Sequence, residues 1–411
     1  MMVQRCDVAI VGGGMVGASL AVALLPLGLR IALIEAVPHD SAAQPSFDER
    51  TTALSNASRR ILDTIGVWSA VADAATPIRR IHVSDRGRFG FARIDAAELG
   101  LPAMGYVVPN RALGAALWAR IGRDPAAPRV YCPATLQSVI PGPQAVALQI
   151  AAGDGAESRI EADLVVAADG VHSAVRRAAG VAAETRDYGQ SAIITTVLPQ
   201  RFHDHVAFER FGESGPLALL PLADGRCTLV LTVRRREAEA MVAAPDGEFL
   251  AEVQDRFGFR LGRFLKVGRR VAYPLALTQA RGTSGMRCVI VGNAAQSLHP
   301  VAGMGFNLGL RDVASLAELI AERAAEDGGE LGEAPLLAAY DGWRRADRRA
   351  IAGFTDGLVR LFANPLSVVR RARNLGLLAF DLLPPAKRAL ATLSTGAVGR
   401  VPKLARGVAL R

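Results

Sequence analysis

Apolar residues in this chain arrive in short continuous runs, and glycine closes the runs. The first, DVAIV at residues 7–11, is followed by GGGMVG and an uncharged stretch to Leu29, and then by IALIE. That order predicts a buried strand over 7–11, a tight turn, a helix over 16–27 and a second strand over 31–35. The pattern recurs at 162–177, ADLVVAADGVHSAVRR, as a strand ending in Asp169-Gly170 and a helix opening near Ser173. It recurs again from Met286, MRCVIVGNAAQSLHPVAGMGFNLGLRDVASLAELIAE. Here a strand over 287–291 leads into a long glycine loop and an amphipathic helix from about 306 to 323, with Leu308, Val313, Leu316, Leu319 and Ile320 on one face. Residues 207–235 read differently: strand-like runs broken at GESG and ADG predict a meander. TTALSNASRRILDTIG, residues 51–66, predicts a helix with Leu54, Ile61, Leu62 and Ile65 on one side.

The stretch from Val8 to Leu29 carries no charge and would pass a hydropathy filter for a membrane span. Four glycines in six residues interrupt its middle, and Asp7 stands where a signal peptide would be basic. A strand, turn and helix is the better account, so neither a transmembrane helix nor secretion is expected. With 411 residues, 50% hydrophobic and 21% charged, the composition is globular. Cys6, Cys132, Cys227 and Cys288 are scattered without ligand spacing, which predicts free buried thiols in a reducing compartment and no metal site. The net charge of +9 is local: residues 360–411 hold ten basic residues against Asp381, leaving 38 against 38 elsewhere. A nucleic-acid binder is thereby disfavoured, and the basic excess belongs to the C-terminal region.

Gly12, Gly14 and Gly17 form G-x-G-x-x-G between the first strand and helix. The first permits the turn, the second admits a pyrophosphate to the backbone, and the third packs helix on strand. Phosphates would then face the positive end of the helix. Glu35, 18 residues past Gly17, ends the next strand, placed to accept ribose hydroxyls. An acid at that position argues against a 2′-phosphate, so the resident nucleotide is expected to be FAD or NAD. The two later glycine turns favour a flavin nucleotide, whose ribitol and ring extend far beyond the adenosine.

The triplet of G-x-G-x-x-G, DG turn and late GN turn resembles the class A FAD-dependent monooxygenases of para-hydroxybenzoate hydroxylase-like (GR2) fold. FDERTTALSNASRRILDTIGVW, GYVVPNRALGAALW, FERFGESGPLALLPLADGRC and VGNAAQSLHPVAGMGFNLGLRD narrow the resemblance to the ubiquinone-biosynthesis hydroxylase branch. HVSDRG, DGRC and FGFRLGRF look most like its 2-polyprenyl-6-methoxyphenol hydroxylases. The implied fold is α/β: a Rossmann-like FAD-binding domain with an inserted antiparallel β-sheet substrate domain and a C-terminal helical tail. The expected division is FAD-binding over 1–75, 103–182 and 281–350. A substrate-sheet segment occupies 76–102, a β-rich substrate domain 183–280, and a basic helical region 351–411. Residues 78–94 and 190–197 would join the meander in the sheet over the flavin ring.

Most members carry Asp where this chain has Asn293. The resemblance implies cofactor contacts from Gly12, Gly14, Gly17, Glu35, Arg50, Arg111, Asp169, Gly170, Asn293, Gly305, Phe306 and Asn307. It gives Pro300, Gly303 and Gly305 the work of positioning the flavin, with no acid or base assigned. A solvated surface is the ordinary fate of a single Arg, and the family frame alone lifts Arg50 and Arg111 above it. His299 reads as structural or flavin-proximal rather than as a proton donor. The implied activity uses NADH or NADPH and O2 to hydroxylate a 2-polyprenyl-6-methoxyphenol para to its hydroxyl, through a flavin C4a-hydroperoxide. With one dinucleotide fingerprint, the nicotinamide must visit a surface groove and leave. Alternatives are a sister hydroxylase acting at another ring position, another class A aromatic hydroxylase, a halogenase or prenyl reductase, and a flavin-binding assembly factor. No Trp-x-Trp-x-Ile occurs among Trp68, Trp118 and Trp343, which disfavours the halogenase. Over 356–411 apolar helical stretches join the basic excess. The expectation is a helix pair docked on the flavin domain, with peripheral contact to an anionic membrane or a ubiquinone-biosynthesis complex. The expected location is cytoplasmic, with the inner face of the cell membrane as the contact surface.

Overall fold

The computed structural model describes residues 3–41, 44, 46, 48, 50–298, 303–327, 329–364, 366–383, 385–389 and 399–410. The glycine-closed runs build the core of the parallel-sheet half, the one expected to hold the cofactor and called the cofactor half below. Val3–Val11, Ile31–Ile34, Glu157–Ala167 and Cys288–Ile290 pair in parallel, the first and third polar at their starts and continuously apolar only over Val8–Val11 and Leu164–Ala167. Such strands need cover on both faces. Helices α1 (Met15–Leu24), α2 (Asn56–Thr64) and α3 (Asn110–Arg123) pack into the first core cluster with these strands. The second face is covered by the hairpin Ala134–Pro141/Val146–Ala152 and by α4 (Ala174–Ala178), whose Ser173 Oγ caps Arg176 N at 2.9 Å.

Among the described residues the sheets hold eight, nine and three strands. The nine-stranded sheet contains the expected meander, Val206–Gly212, Gly215–Pro221 and Cys227–Arg234. The long strand Ala183–Pro199 and the strands Arg80–Asp85 and Phe91–Asp95 also join it. It is not wholly antiparallel: Val206–Gly212 runs parallel to Arg80–Asp85, because the chain reaches its edge by a long connection. Helices α5 (Arg235–Ala243) and α6 (Asp246–Phe257) cover its outer face through Phe208, Leu219, Leu229, Leu231 and Phe249.

The expected helix at 51–66 begins late. Thr51–Ser55 is a strand paired with Gly105–Pro109, and Ser55 then caps α2 through Ser58 N. Leu54 is buried either way, so its burial could not separate the two readings. Helix α7 (Met304–Ala324) is followed by α8 (Ala334–Ala363), which continues unbroken through 350/351, and by α9 (Ser367–Leu382). The tail helices do not form a pair on the flavin domain. Instead α9 lies on the edge of the nine-stranded sheet, where Asn374 and Asp381 accept the Gly90 and Arg93 backbone N–H groups at 3.0 and 2.7 Å. Residues 399–410 dock on the cofactor half, with Lys403 N donating to Glu318 and Thr64 Oγ1 to Leu404 O. All four cysteines are free thiols, and Cys132 is only half-buried.

Candidate cofactor and substrate site

A cavity of about 430 Å³ opens where Val11, Ile34 and Ala168 end or follow their parallel strands. Ligands of open α/β sheets collect at this crevice, outside the carboxyl ends of the strands. Its wall brings together Gly12, Gly14, Glu35, Asp169, Gly170, Asn293, Gly305 and Phe306 from five separate stretches of chain. Gly12 holds φ +101°, and a Cβ there would lie 2.4 Å from Ala168 O. Gly17 faces the strand so closely that a Cβ would sit 1.8 Å from Gly12 O.

Glu35 is buried at the lip of the cavity. Oε2 accepts Gly13 N at 2.5 Å, and Oε1 accepts both Val37 N at 2.9 Å and Gln44 Nε2 at 3.4 Å, which leaves one lone pair, on Oε2. Asp169 uses Oδ2 to accept Ala174 N at 2.8 Å, tying the strand end to α4. Its Oδ1 is buried with no hydrogen-bond partner among the described residues. A lone acceptor on a cavity wall suits a hydroxyl-bearing ligand. A Cβ on Gly170 or Gly305 would project into open space, so these glycines leave room beside the same wall.

The remaining expected site residues lie off this wall. Arg50 pairs with Asp48 at 2.6 Å and stacks its guanidinium 4.6 Å from the Tyr273 ring. Arg111 is exposed on the first turn of α3. Gly303 caps α7 at φ +60°. Asn307 spends its side chain on the protein: Oδ1 accepts Ser55 N at 2.7 Å, and Nδ2 donates to Ala53 O and Gly303 O at 2.8 Å. His299 and Pro300 fall outside the described residues.

What fixes the turn at Asn293 was not visible from the motifs. Gly292 N donates to Asp312 Oδ2 at 3.0 Å, and Arg344 Nε donates to Asp312 Oδ1 at 2.7 Å, both side chains having no exposed surface. Arg176 Nη1 donates to Ala294 O at 2.6 Å and Arg348 Nη2 to Ala295 O at 2.9 Å. Three helices therefore hold one loop through charge-assisted bonds. Burial would lower the Arg344 pKa, but Asp312, Tyr340 and Asp347 together outweigh it and raise the pKa, so the guanidinium stays charged. The available signal was charge at core spacing: Arg311 and Asp312 interrupt an otherwise apolar helix face. Gln44 and Ser46, also on the wall, had no signal.

Across the nine-stranded sheet, the face opposite α5 and α6 looks toward the cofactor half. Ile194, Ala218, Leu220 and Val230 are half-buried on it, while Thr51 of the cofactor half donates to Thr228 at 3.0 Å. Ala53 joins Ala207 and Leu220 in one apolar cluster, and a Cβ on Gly303 would lie 3.2 Å from the Ala53 Cβ. The glycine loop and this apolar face are thus adjacent.

The FAD binding domain model matches residues 5–355. The ubiquinone hydroxylase UbiL of Rhodospirillum rubrum is 40% identical over 409 residues, covering 98% of this chain and 93% of that protein. The 3-demethoxyubiquinol 3-hydroxylase of Escherichia coli is 34% identical over 94% of this chain and 97% of its own length. The crystal structure of p-nitrophenol 4-monooxygenase PnpA from Pseudomonas putida superposes with a TM-score of 0.78 at 18% identity, over 95% of this chain and 97% of that one, and shares the fold. The chain belongs to the FAD-binding-domain family, as an FAD-dependent monooxygenase of the ubiquinone hydroxylase group.

Proposed function

We propose that this protein hydroxylates a 2-polyprenyl-6-methoxyphenol para to its hydroxyl. The observation that carries the reading is the half-buried apolar face of the nine-stranded sheet set against the Gly303–Gly305 loop. It offers a greasy slot for an aromatic ring beside the cofactor wall.

FAD, reduced by NADH or NADPH, supplies one atom of O2 to the ring; the chain's residues do the positioning. Gly12, Gly14 and Gly17 would let the pyrophosphate meet the α1 N-terminus. Glu35 would accept a ribose hydroxyl with the remaining lone pair of Oε2, and the unpartnered Asp169 Oδ1 a ribitol hydroxyl. Gly170, Asn293 and Phe306 would line the ribitol. Gly303 and Gly305, with Pro300, would seat the ring edge. Asn307 contributes by locking the loop to Ala53, and Arg50 and Arg111 lend positive charge from outside the wall. Ile194, Leu220 and Val230 exclude water and hold the phenol near the reacting atom.

No helix of the described residues is long and apolar enough to cross a membrane. A polyprenyl tail must still be collected, and α9 is built for it. Val368, Leu375 and Leu382 are exposed at helical spacing, opposite the face docked on the sheet, with exposed Arg371 one turn from Val368. We infer that this stripe rests on an anionic membrane surface. A ring position other than para is the second reading, supported by the identity to the Escherichia coli enzyme. Mass spectrometry of lipids from cells lacking the gene separates them. Accumulated 2-polyprenyl-6-methoxyphenol supports the first reading, a demethoxyquinol the second, and unchanged ubiquinone refutes both.

A further inference from the structure

Glu209 stands on the strand Val206–Gly212, where alternation sends Phe208 outward to Phe257 and points Ala207, Glu209 and Phe211 to the inner face. On either side it is flanked by Val83 and Ala218 of the neighbouring strands. Helix α8 crosses above this face. Its Ile351 packs with Met304 and Leu298 beside the flavin-side loop, and its Phe362 stacks on Phe211 at 3.6 Å. Those two contacts are eleven residues apart, about 16 Å along a helix. Glu209 therefore sits under α8, between the glycine loop and the Phe211–Phe362 stack. It keeps partial accessibility beneath that helix.

Among the described residues its carboxyl has no hydrogen-bond or ion-pair partner. The charged groups on the elements packed around it are committed to one another. Asp85 is paired with Arg373, Asp356 with Arg186 and Tyr188, and Asp48 with Arg50 and Tyr273. Arg210, next in sequence, points to the opposite face. Burial alone raises the Glu209 pKa to about 8. A carboxyl held in an apolar cleft without a partner is destabilising, and such groups concentrate at functional sites.

We propose that Glu209 is the polar anchor of the aromatic substrate, accepting a hydrogen bond from the phenolic hydroxyl and, when ionised, taking its proton. The phenol O–H bond breaks, a carboxyl O–H bond forms, and the electron pair left on oxygen enriches the ring toward electrophilic oxygen. This rests on the reading that the substrate is a phenol. It supplies what the apolar slot lacks, one directional contact that fixes ring orientation.

The test uses the FAD-loaded enzyme, short-chain 2-prenyl-6-methoxyphenol and its O-methyl ether, whose ring oxygen has no proton to give. Binding is read from the perturbation of flavin absorbance, and turnover from product formation between pH 6 and 9.5. The wild type should bind the phenol at least tenfold tighter than the ether, with kcat/KM rising through an ionisation near pH 8. Glu209→Gln should raise the phenol Kd at pH 8.5 at least tenfold, leave the ether unchanged, and remove that ionisation. Glu209→Leu should melt at higher temperature than wild type while losing phenol selectivity. A Glu209→Gln enzyme with wild-type Kd and pH profile overturns the proposal alone. So do Gln and Leu variants that both melt lower and lose FAD, which would make Glu209 structural. A wild type that binds no phenol sinks the proposal together with the phenol reading.

Discussion

Replacing Asp312 by Asn tests how the Asn293 turn is held. The wild-type carboxylate accepts from two donors at once, Gly292 N and Arg344 Nε, and both side chains are fully buried. An amide has the same size but only one oxygen, so its NH2 must face one of those donors. It also removes the charge that keeps Arg344 buried. Losing one partner of a buried pair costs about 3–5 kcal/mol. The lower end applies, since Arg344 keeps Asp347 at 2.5 Å. With an unfolding entropy of about 0.9 kcal/mol/K for a chain this long, a loss of about 3 kcal/mol lowers Tm by about 3 °C. Calorimetry of the apo and FAD-loaded forms measures it, and FAD titration should show weaker binding as the turn loosens. The double variant Asp312→Asn/Arg344→Met should regain part of the loss, since it removes the stranded guanidinium while the amide oxygen still accepts from Gly292 N, and Arg311 keeps Asp347 at 2.6 Å. A shift below 1 °C in Asp312→Asn, or a double variant no better than the single, would refute this account.

The fingerprint glycines should separate in their effects. A Cβ at Gly14 meets only the Ser46 hydroxyl, at 2.7 Å, which can rotate away. Gly14→Ala should therefore fold normally and lose FAD affinity at least tenfold, whereas Gly17→Ala, blocked by Gly12 O, should not yield soluble protein. Circular dichroism and FAD titration together decide, and a Gly14→Ala protein with full FAD affinity would contradict the phosphate-cradle role. His82 lies between Phe91 and Phe208, and burial first, then Arg260, lowers its pKa to about 4. A depressed base means stability is intact above the unfolded value near 6.5 and is lost as pH falls from there through 4, by up to about 3 kcal/mol. His82→Leu should show less acid sensitivity than wild type in urea unfolding at pH 4.5 against 7.5; an equal loss in both would rule the residue out as the cause. Val368→Asp/Leu375→Glu on the exposed face of α9 should abolish co-sedimentation with phosphatidylglycerol vesicles at unchanged Tm. Retained binding would remove α9 as the membrane contact.

Much of the cofactor half was legible because its signals are local. Strand, glycine turn and helix follow within 30 residues, and Gly12, Gly14 and Glu35, singled out by spacing, line one wall with Asp169 and Asn293, which the family resemblance added. Non-local pairing was not legible. Thr51–Ser55 becomes a strand only because Gly105–Pro109 arrives more than 50 residues later. Val206–Gly212 finds a parallel neighbour at Arg80–Asp85 that no local pattern announces. The supports of the Asn293 turn, Arg176, Arg344 and Arg348, looked like ordinary surface charges until the helices carrying them were placed. Glu209 was equally silent, since FERF alternates as any half-buried strand does.

The parallel sheet under the cofactor wall has a consequence for how the chain is made. Its strands come from residues 3–11, 31–34, 129–131, 157–167 and 288–290, so pairing Glu157–Ala167 with Cys288–Ile290 must await a segment synthesised more than 120 residues later. Until then one edge of an apolar strand is open, and at ribosomal speeds of about 5–20 residues per second that interval lasts several seconds or more. Docking of residues 399–410 onto Glu318 and Thr64 comes later still. Completion of this sheet is therefore a late event dominated by distant contacts. The cavity wall joins residues of early and late strands, Gly12 and Asn293 among them, so a ligand bound across it favours the completed fold, and yield in cells should follow flavin supply.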